Sequence, residues 1–536
     1  MKPSDARRSV LAYGRGRLVG LLIPPFRPFG RAFPLLLGMV FAFSWSVPPG
    51  QPAVLQIEPG AAAVLAQPRD PRFGLNQSWE APDQADMAGA GWSRLVFWWS
   101  AFQPRGPRDF NVFATDRDSY IDDEQARGRE LAGVVLNTPG WASASGSPNG
   151  VPRNLYLRWD DPENHWGQFM RRLAERYRGR IDAWIIWNEV DIRDGPWRTW
   201  DGSIEDYVQL QRVAYRAIKA GNPDATVALF GSPWWHDKGA YLSQALDRLA
   251  HLEGAADWNH YFDVANLHMY SRANDIPEVI PWYRAQLAAR GMGEKPIWIG
   301  ETNVVPYDDP LRLEQKSGFR ASLDEQASYL VEAFATYLAL GVERIGVNRA
   351  LDGADFRAGG EPFGLIRNDR TVRPAYSAFQ VISRYFAGAQ SARYFPKEQS
   401  GLTRVVLERD GERVSVLWTM RPEPLVATLD ATSPKALRVD KYGVSSEVLP
   451  EDGRYRVALD PATANSNETD PLDFVVGGNP VILVERADGD LARANRPLAI
   501  APRPAPNARV PANRAWMPLE AMVPAPRIAA SPSRFS

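Results

Sequence analysis

Apolar residues along the middle of the chain recur in two alternating patterns. Short, nearly continuous apolar runs occupy PRFGLN (71–76), RLVFWW (94–99), LAGVVLN (131–137), AWIIWN (183–188), TVALFGS (226–232), DVANLHMY (263–270), PIWIGE (296–301) and RIGVNR (344–349). Between several of them lie segments with helical spacing that end at glycine: HWGQFMRRLAERYRG (165–179), DYVQLQRVAYRAIKAG (206–221) and EQASYLVEAFATYLALG (325–341). Continuous apolar strands alternating with helices predict a parallel sheet buried on both faces. Eight such strands predict an α/β fold of the closed (β/α)8 TIM barrel type over residues 67–390.

From 391 to 486 the pattern changes to short runs such as TRVVLER, RVSVLWTM, YRVALD and PVILVER, bounded by Gly, Pro, Asn and Asp and without a helix between them. This predicts a small β-sandwich appended to the barrel. The ends differ again. Residues 1–66 form a leader in which seven basic residues and one acid over 1–31 precede AFPLLLGMVFAFSWSV (32–47), an uncharged run. Such a run predicts an export signal or a membrane anchor, and hence a secreted or membrane-anchored extracytoplasmic protein. Residues 487–536 are rich in Pro, Ala and Arg, a composition that predicts a disordered tail.

Composition narrows the chemistry. With 62 basic and 63 acidic residues the formal charge is −1, which gives no basic footprint for nucleic acid. There is no cysteine, so disulfides, thiolate metal sites and cysteine nucleophiles are excluded. No GxGxxG or GK[ST] follows the early strands, and the five histidines show no metal-ligand spacing, so no cofactor or metal is implied.

Two of the apolar runs end in a carboxylate. AWIIWN leads into Glu189, and PIWIG leads into Glu301. In a barrel the chemistry sits at the C-terminal ends of the strands. Strands four and seven therefore place two acids at one mouth, the requirement for cleaving a glycosidic bond. Because Asn188 and Glu189 are adjacent, strand four is expected to end or bulge there so that both reach the cleft. Arg94 on strand two is the candidate cation for an ionised partner carboxylate, and Tyr270 the candidate hydroxyl donor to Glu301. His268 shares a face of strand six with Tyr270. Asn188 can donate to a sugar hydroxyl. Sixteen of the 19 Trp lie between residues 79 and 298, and Trp98, Trp141 and Trp235 follow strand ends, where aromatic surface suits a sugar ring.

WSRLVFWW with Arg94, LNTPGWAS, IIWNEVD, NLHMY and IGETN together resemble the clan A glycoside hydrolases, closest to the cellulase-like and β-xylosidase-like families. The resemblance covers residues 70 to 390. It implies a retaining β-glycosidase acting on a poly- or oligosaccharide, with Glu189 as general acid/base and Glu301 as nucleophile. Strand eight departs from that pattern: Asn348 and Arg349 stand where these families carry a Trp. An arginine there would favour an anionic or hydroxyl-rich substrate. Two other readings remain open, a catalytically silent cell-surface glycan-binding protein on the same barrel and a structural envelope protein. Sugar, linkage and oligomeric state are not legible.

Overall fold

The computed structural model describes residues 69–112, 117–195, 197–311, 320–353, 362–398, 401–409, 411–465 and 473–494. The leader with its 32–47 run, and the tail beyond 494, lie outside the described residues. Among the described residues no helix is long and apolar enough to cross a membrane.

Eight parallel strands form the first layer: β1 (Phe73–Leu75), β2 (Trp92–Trp98), β3 (Glu130–Leu136), β4 (Ala183–Ile186), β5 (Thr226–Ala228, resuming as Ser232–Pro233), β6 (Ala265–Tyr270), β7 (Ile297–Asn303) and β8 (Arg344–Val347). They run in the order β5-β4-β3-β2-β1-β8-β7-β6. The ring closes through β5, whose first part pairs with β4 and whose second part pairs with β6, and Ala228 also bridges to Val264. The run at 226–232 is thus one strand broken in the middle rather than a continuous one. At the break the Tyr207 hydroxyl accepts the Phe230 N–H at 3.1 Å, so the interruption does not leave that donor unpaired.

Residues that face inward fill the barrel floor. Trp92 and Trp298 meet there with ring centroids 6.1 Å apart. Gly74 lacks a side chain because a β-carbon would overlap the Trp92 indole, and Gly346 faces the same ring. Outside the ring, α1 (His165–Tyr177) and α2 (Ile204–Gly221) pack against each other and reach the strands through Tyr177, which meets Phe97 and Trp184, and through Tyr207, whose hydroxyl donates to Ile186 O. Asn164 caps α1 by accepting from Gly167 N, and Ser203 with Asp206 forms a capping box on α2.

Helix α3 (Leu323–Ala339) is buried on all sides from Gln326 to Leu338, and α4 (Pro374–Tyr385) packs beside it. The reason is a second layer. Strands β9 (Ser391–Glu398), β10 (Leu402–Arg409), β11 (Glu412–Thr419), β12 (Leu425–Asp430), β13 (Ala436–Asp440), β14 (Ser445–Val448), β15 (Arg454–Leu459) and β16 (Val481–Arg486) form an antiparallel domain. Its main sheet has the order β9-β10-β11-β16-β13-β14, and β12 pairs with β15 in a second, two-stranded sheet. Alternation sorts the main sheet into two faces. Val405, Leu407, Val414, Val416, Ile482 and Val484 join the barrel core, whereas Leu402, Leu417, Val481 and Leu483 pack under the small sheet. Burial on both faces explains why β16 reads as a continuous apolar run.

Candidate active site

The sequence of β4 ends its regular course at Ile186. Trp187 and Glu189 then adopt left-handed backbone conformations, with φ of 69° and 45°. Such conformations cost non-glycine residues on the order of 1–3 kcal/mol and persist where surrounding contacts impose them. Here the turn throws Trp187 outward, against Trp166 and Trp200, with its Nε1–H donating to Thr199 O at 2.9 Å. Glu189 is thereby aimed at the barrel mouth. Asn188 is half-buried beside it, and its backbone oxygen accepts from the Thr199 hydroxyl.

A different device turns Glu301 inward. Between β6 and β7 the register shifts, pairing Leu267 with Ile299 but His268 with Glu301. Gly300 is the extra residue of this bulge. A β-carbon on it would lie 2.7 Å from Asn266 Oδ1 and 3.2 Å from His268 Nε2. Gly231, at the break in β5, is also bare against the imidazole, and a β-carbon there would overlap it. His268 is therefore fully buried in a slot made by two glycines. Neither glycine was singled out by the sequence reading, although both stand in quoted strand ends; the signal was a glycine within an otherwise apolar strand.

Five of the expected residues meet in this slot. Arg94 Nη2 donates to Glu301 Oε1, and Arg94 Nη1 lies 3.3 Å from His268 Nε2. Because guanidinium only donates, Nε2 must accept, which leaves the imidazole proton on Nδ1. Nδ1 then donates to Glu189 Oε1 at 2.8 Å and lies 3.6 Å from Glu301 Oε2. The Tyr270 hydroxyl donates to Glu301 Oε2. Burial pushes the Glu301 pKa up, but the Arg94 charge and the Tyr270 hydrogen bond are among the opposing effects that outweigh it, so the carboxyl is held below its ordinary value.

The donor atoms of Glu189, His268 and Glu301 all lie within 4.8 Å of one another, a spacing that could also hold a metal ion. Arg94 already contacts both Glu301 and His268 and supplies the positive charge at that point. A divalent cation would have to displace it or face it.

The remaining expected residues are more scattered. Asn348 is buried at the end of β8, its N–H bonded to Thr302 O at 3.2 Å and its carbonyl accepting from Asn303 Nδ2 at 2.7 Å. Arg349 does not offer a free charge: its Nη2 reaches both carboxylate oxygens of Glu80 at 2.6 Å. Trp98 is half-buried at the end of β2. Trp141 is fixed by its Nε1–H donating to Gln103 O at 2.7 Å and by edge contacts to Trp99 and His165. Trp235 is 41% exposed and, with Tyr270, Met269 and Lys238, lines a small recess of about 70 Å³.

One site residue went unread. Asp191, at the end of IIWNEVD, is fully buried and accepts from the Ser232 hydroxyl across β5, while its Oδ1 has no partner. Burial pushes its pKa well above the ordinary range, the Ser232 bond opposing and the Asp237 and Glu189 charges adding to the rise. This buried carboxyl lies two residues from Glu189.

The fold is thus a parallel barrel whose mouth carries two carboxylates, followed by an antiparallel β domain. No protein-family model matches the chain, and no curated protein matches it. Among solved structures it is similar to a family 39 glycoside hydrolase from Bacteroides cellulosilyticus, with 17% identity and a TM-score of 0.59 over 78% of this chain and 81% of that one. It is also similar to a glucosidase from Croceicoccus marinus (13% identity, TM-score 0.54, 80% of this chain and 100% of that one). A family 30 subfamily 8 xylanase from Clostridium acetobutylicum gives 12% identity and a TM-score of 0.52 over 79% of this chain and 98% of that one. The chain thus shares the fold of family 39 and family 30 clan A glycoside hydrolases.

Proposed function

We propose that the protein is a retaining β-glycoside hydrolase. The observation that carries this reading is the closeness of the Glu189 and Glu301 carboxylates, with ligand atoms within 4.8 Å. Retaining enzymes hold their carboxyls about 5–5.5 Å apart, whereas inverting ones leave room for a water at about 6.5–9.5 Å.

In this reading Glu301, kept ionised by Arg94 and Tyr270, attacks the anomeric carbon. A carbon–oxygen bond forms to Glu301 as the bond to the leaving oxygen breaks, and Glu189 gives that oxygen its proton. His268 donates to Oε1 of Glu189, which leaves Oε2 to carry the transferred proton. In the second half Glu189, now a carboxylate, takes a proton from water, and the water oxygen displaces Glu301 from the sugar. The same residue acts first as acid and then as base.

The similar folds of a glucosidase and a xylanase support a saccharide as substrate. Arg349 is matched by Glu80, which weighs against an anionic sugar being selected at that position. The basic leader and the uncharged run at 32–47 support an extracytoplasmic enzyme, which cell fractionation would test. A silent glycan-binding barrel is the second reading, favoured by Asn348 and Arg349 standing where an aromatic residue was expected.

The deciding experiment is trapping with 2-deoxy-2-fluoro aryl β-glycosides of glucose and xylose. A covalent label on Glu301, lost in Glu301→Gln, is the expected result. Glycan binding with neither label nor turnover would favour the second reading.

A further inference from the structure

A second, larger space lies away from the recess beside Trp235 and Tyr270. A cavity of about 410 Å³ opens between the barrel and the β domain. Its volume falls in the range of small-molecule sites, which favour domain interfaces. Three separate parts of the fold contribute walls: Asn274 and Pro277 after β6, Glu332 and Thr336 on α3, and Tyr394, Thr403 and Trp418 on β9, β10 and β11.

Glu332 is the informative wall. A carboxyl placed wholly inside a protein needs partners for both oxygens. Its Oε2 accepts from Gly477 N at 2.9 Å, but Oε1 is buried with no partner. Lys441, the nearby cation, is spent elsewhere, on Asp324, Ser328 and Asn479. Burial pushes the Glu332 pKa up to about 8, so at neutral pH the group is largely a neutral carboxylic acid that can donate as well as accept.

The wall chemistry selects the occupant. Arg421, which also lines the cavity, would repel a cation, and because it is already paired with Glu423 at 3.3 Å it offers an anion no free counter-charge. A purely apolar ligand would leave Glu332, the Thr403 hydroxyl and the Asn274 amide facing it without partners. What remains is a neutral, hydroxyl-rich molecule with an apolar face, to which Trp418 and Tyr394 offer aromatic surface. We propose that this cavity is a second saccharide-binding site, for a neutral mono- or disaccharide, separate from the barrel mouth. This assignment rests on the cavity walls and does not require that the mouth catalyse anything.

The test is calorimetric titration of the full chain with glucose, xylose, cellobiose and xylobiose, repeated on Thr403→Phe, which fills the cavity, and Trp418→Ala, which removes a wall. The expected result is a binding event that weakens at least tenfold in both variants, while turnover of aryl β-glycosides stays within about twofold of the parent. If either variant fails to fold, Asn274→Ala replaces it. Asn274 is exposed at the cavity edge, and its loss should weaken the same event severalfold. Isotherms unchanged by a folded Thr403→Phe, or sugar binding confined to the barrel mouth, would overturn the proposal. Cavity binding in a protein that hydrolyses nothing would leave this site standing and remove the hydrolase reading.

Discussion

The Nδ1–H of His268 donates to Glu189 Oε1 at 2.8 Å, because Arg94 occupies the other ring nitrogen. The tautomer is thus set from the far side of the ring, and Glu189 is oriented by the proton on the near side. His268→Ala should lower kcat/KM by about 10²-fold, the usual loss when one positioned donor at a reacting group is removed. The loss should fall mainly on kcat. Steady-state kinetics on an aryl β-glycoside would check this, and a loss confined to KM would show that His268 binds sugar instead.

Glu301 gives a pH prediction. Burial raises its pKa and the Arg94 charge opposes, with a net depression below the ordinary glutamate value of about 4.3. The nucleophile must be ionised, so the acidic limb of kcat/KM should lie below that value. Arg94→Met removes the largest effect opposing burial, leaving the Tyr270 hydrogen bond, and should move the limb upward, with a lower plateau. Stability follows the same sign. A depressed folded pKa contributes stability that is complete above the unfolded value and is lost as pH falls through the folded one. The parent should therefore lose that contribution on acidification, whereas in Arg94→Met the Glu301 contribution should be smaller from the start. Thermal unfolding between pH 3 and pH 7 would read both.

The two carboxylates and Arg94 were legible because each ends or lines an apolar strand, and His268 and Tyr270 because they share one face of a strand; the barrel rule converts strand ends into a common mouth. What parity could not supply was the local departure from it. Trp187 sits on the outer face because two left-handed residues twist the end of β4, and Glu301 faces inward because Gly300 is bulged. Both depend on contacts from other strands. The Glu80–Arg349 pair was hidden for a similar reason, since its partners lie 269 residues apart in the chain. Main-sheet burial in the β domain was also invisible, because it depends on which face meets α3.

Asp191 separates positioning from packing. Its bond to Ser232 ties the turn bearing Glu189 to the broken β5, whose Gly231 backs His268. Asp191→Asn keeps a hydrogen-bonding side chain of the same shape, whereas Asp191→Ala removes the tie. Alanine should cost about 10²-fold on substrates with poor leaving groups, which depend on protonation by Glu189, and much less on dinitrophenyl glycosides, which do not. Equal losses on both substrate types would indicate a purely structural role. A carboxyl with a raised folded pKa opposes folding as pH climbs above its unfolded value. Asp191→Asn should therefore raise the melting temperature at pH 7 more than at pH 4.

The loops after β7 and β8 are joined by a buried ion network. Asp309 accepts from Arg367 Nε at 2.8 Å and Arg373 Nε at 2.7 Å, and Arg373 also grips both oxygens of Asp352, at 2.7 and 2.8 Å. Two cations and two anions balance, so removing Arg373 strands the buried Asp352 and leaves Asp309 with Arg367 alone. Arg373→Met should cost about 3–5 kcal/mol in urea unfolding, the range for breaking one side of a buried pair. Asp309 is held below its ordinary pKa, burial opposing and Arg367 and Arg373 prevailing. Its share of the stability is present above the unfolded aspartate value near 3.9 and disappears as pH falls through the folded value, so the parent's advantage over Arg373→Met should shrink on acidification. An advantage that stayed constant from pH 7 to pH 3 would mean that Arg373 acts through its packed stem rather than its charge.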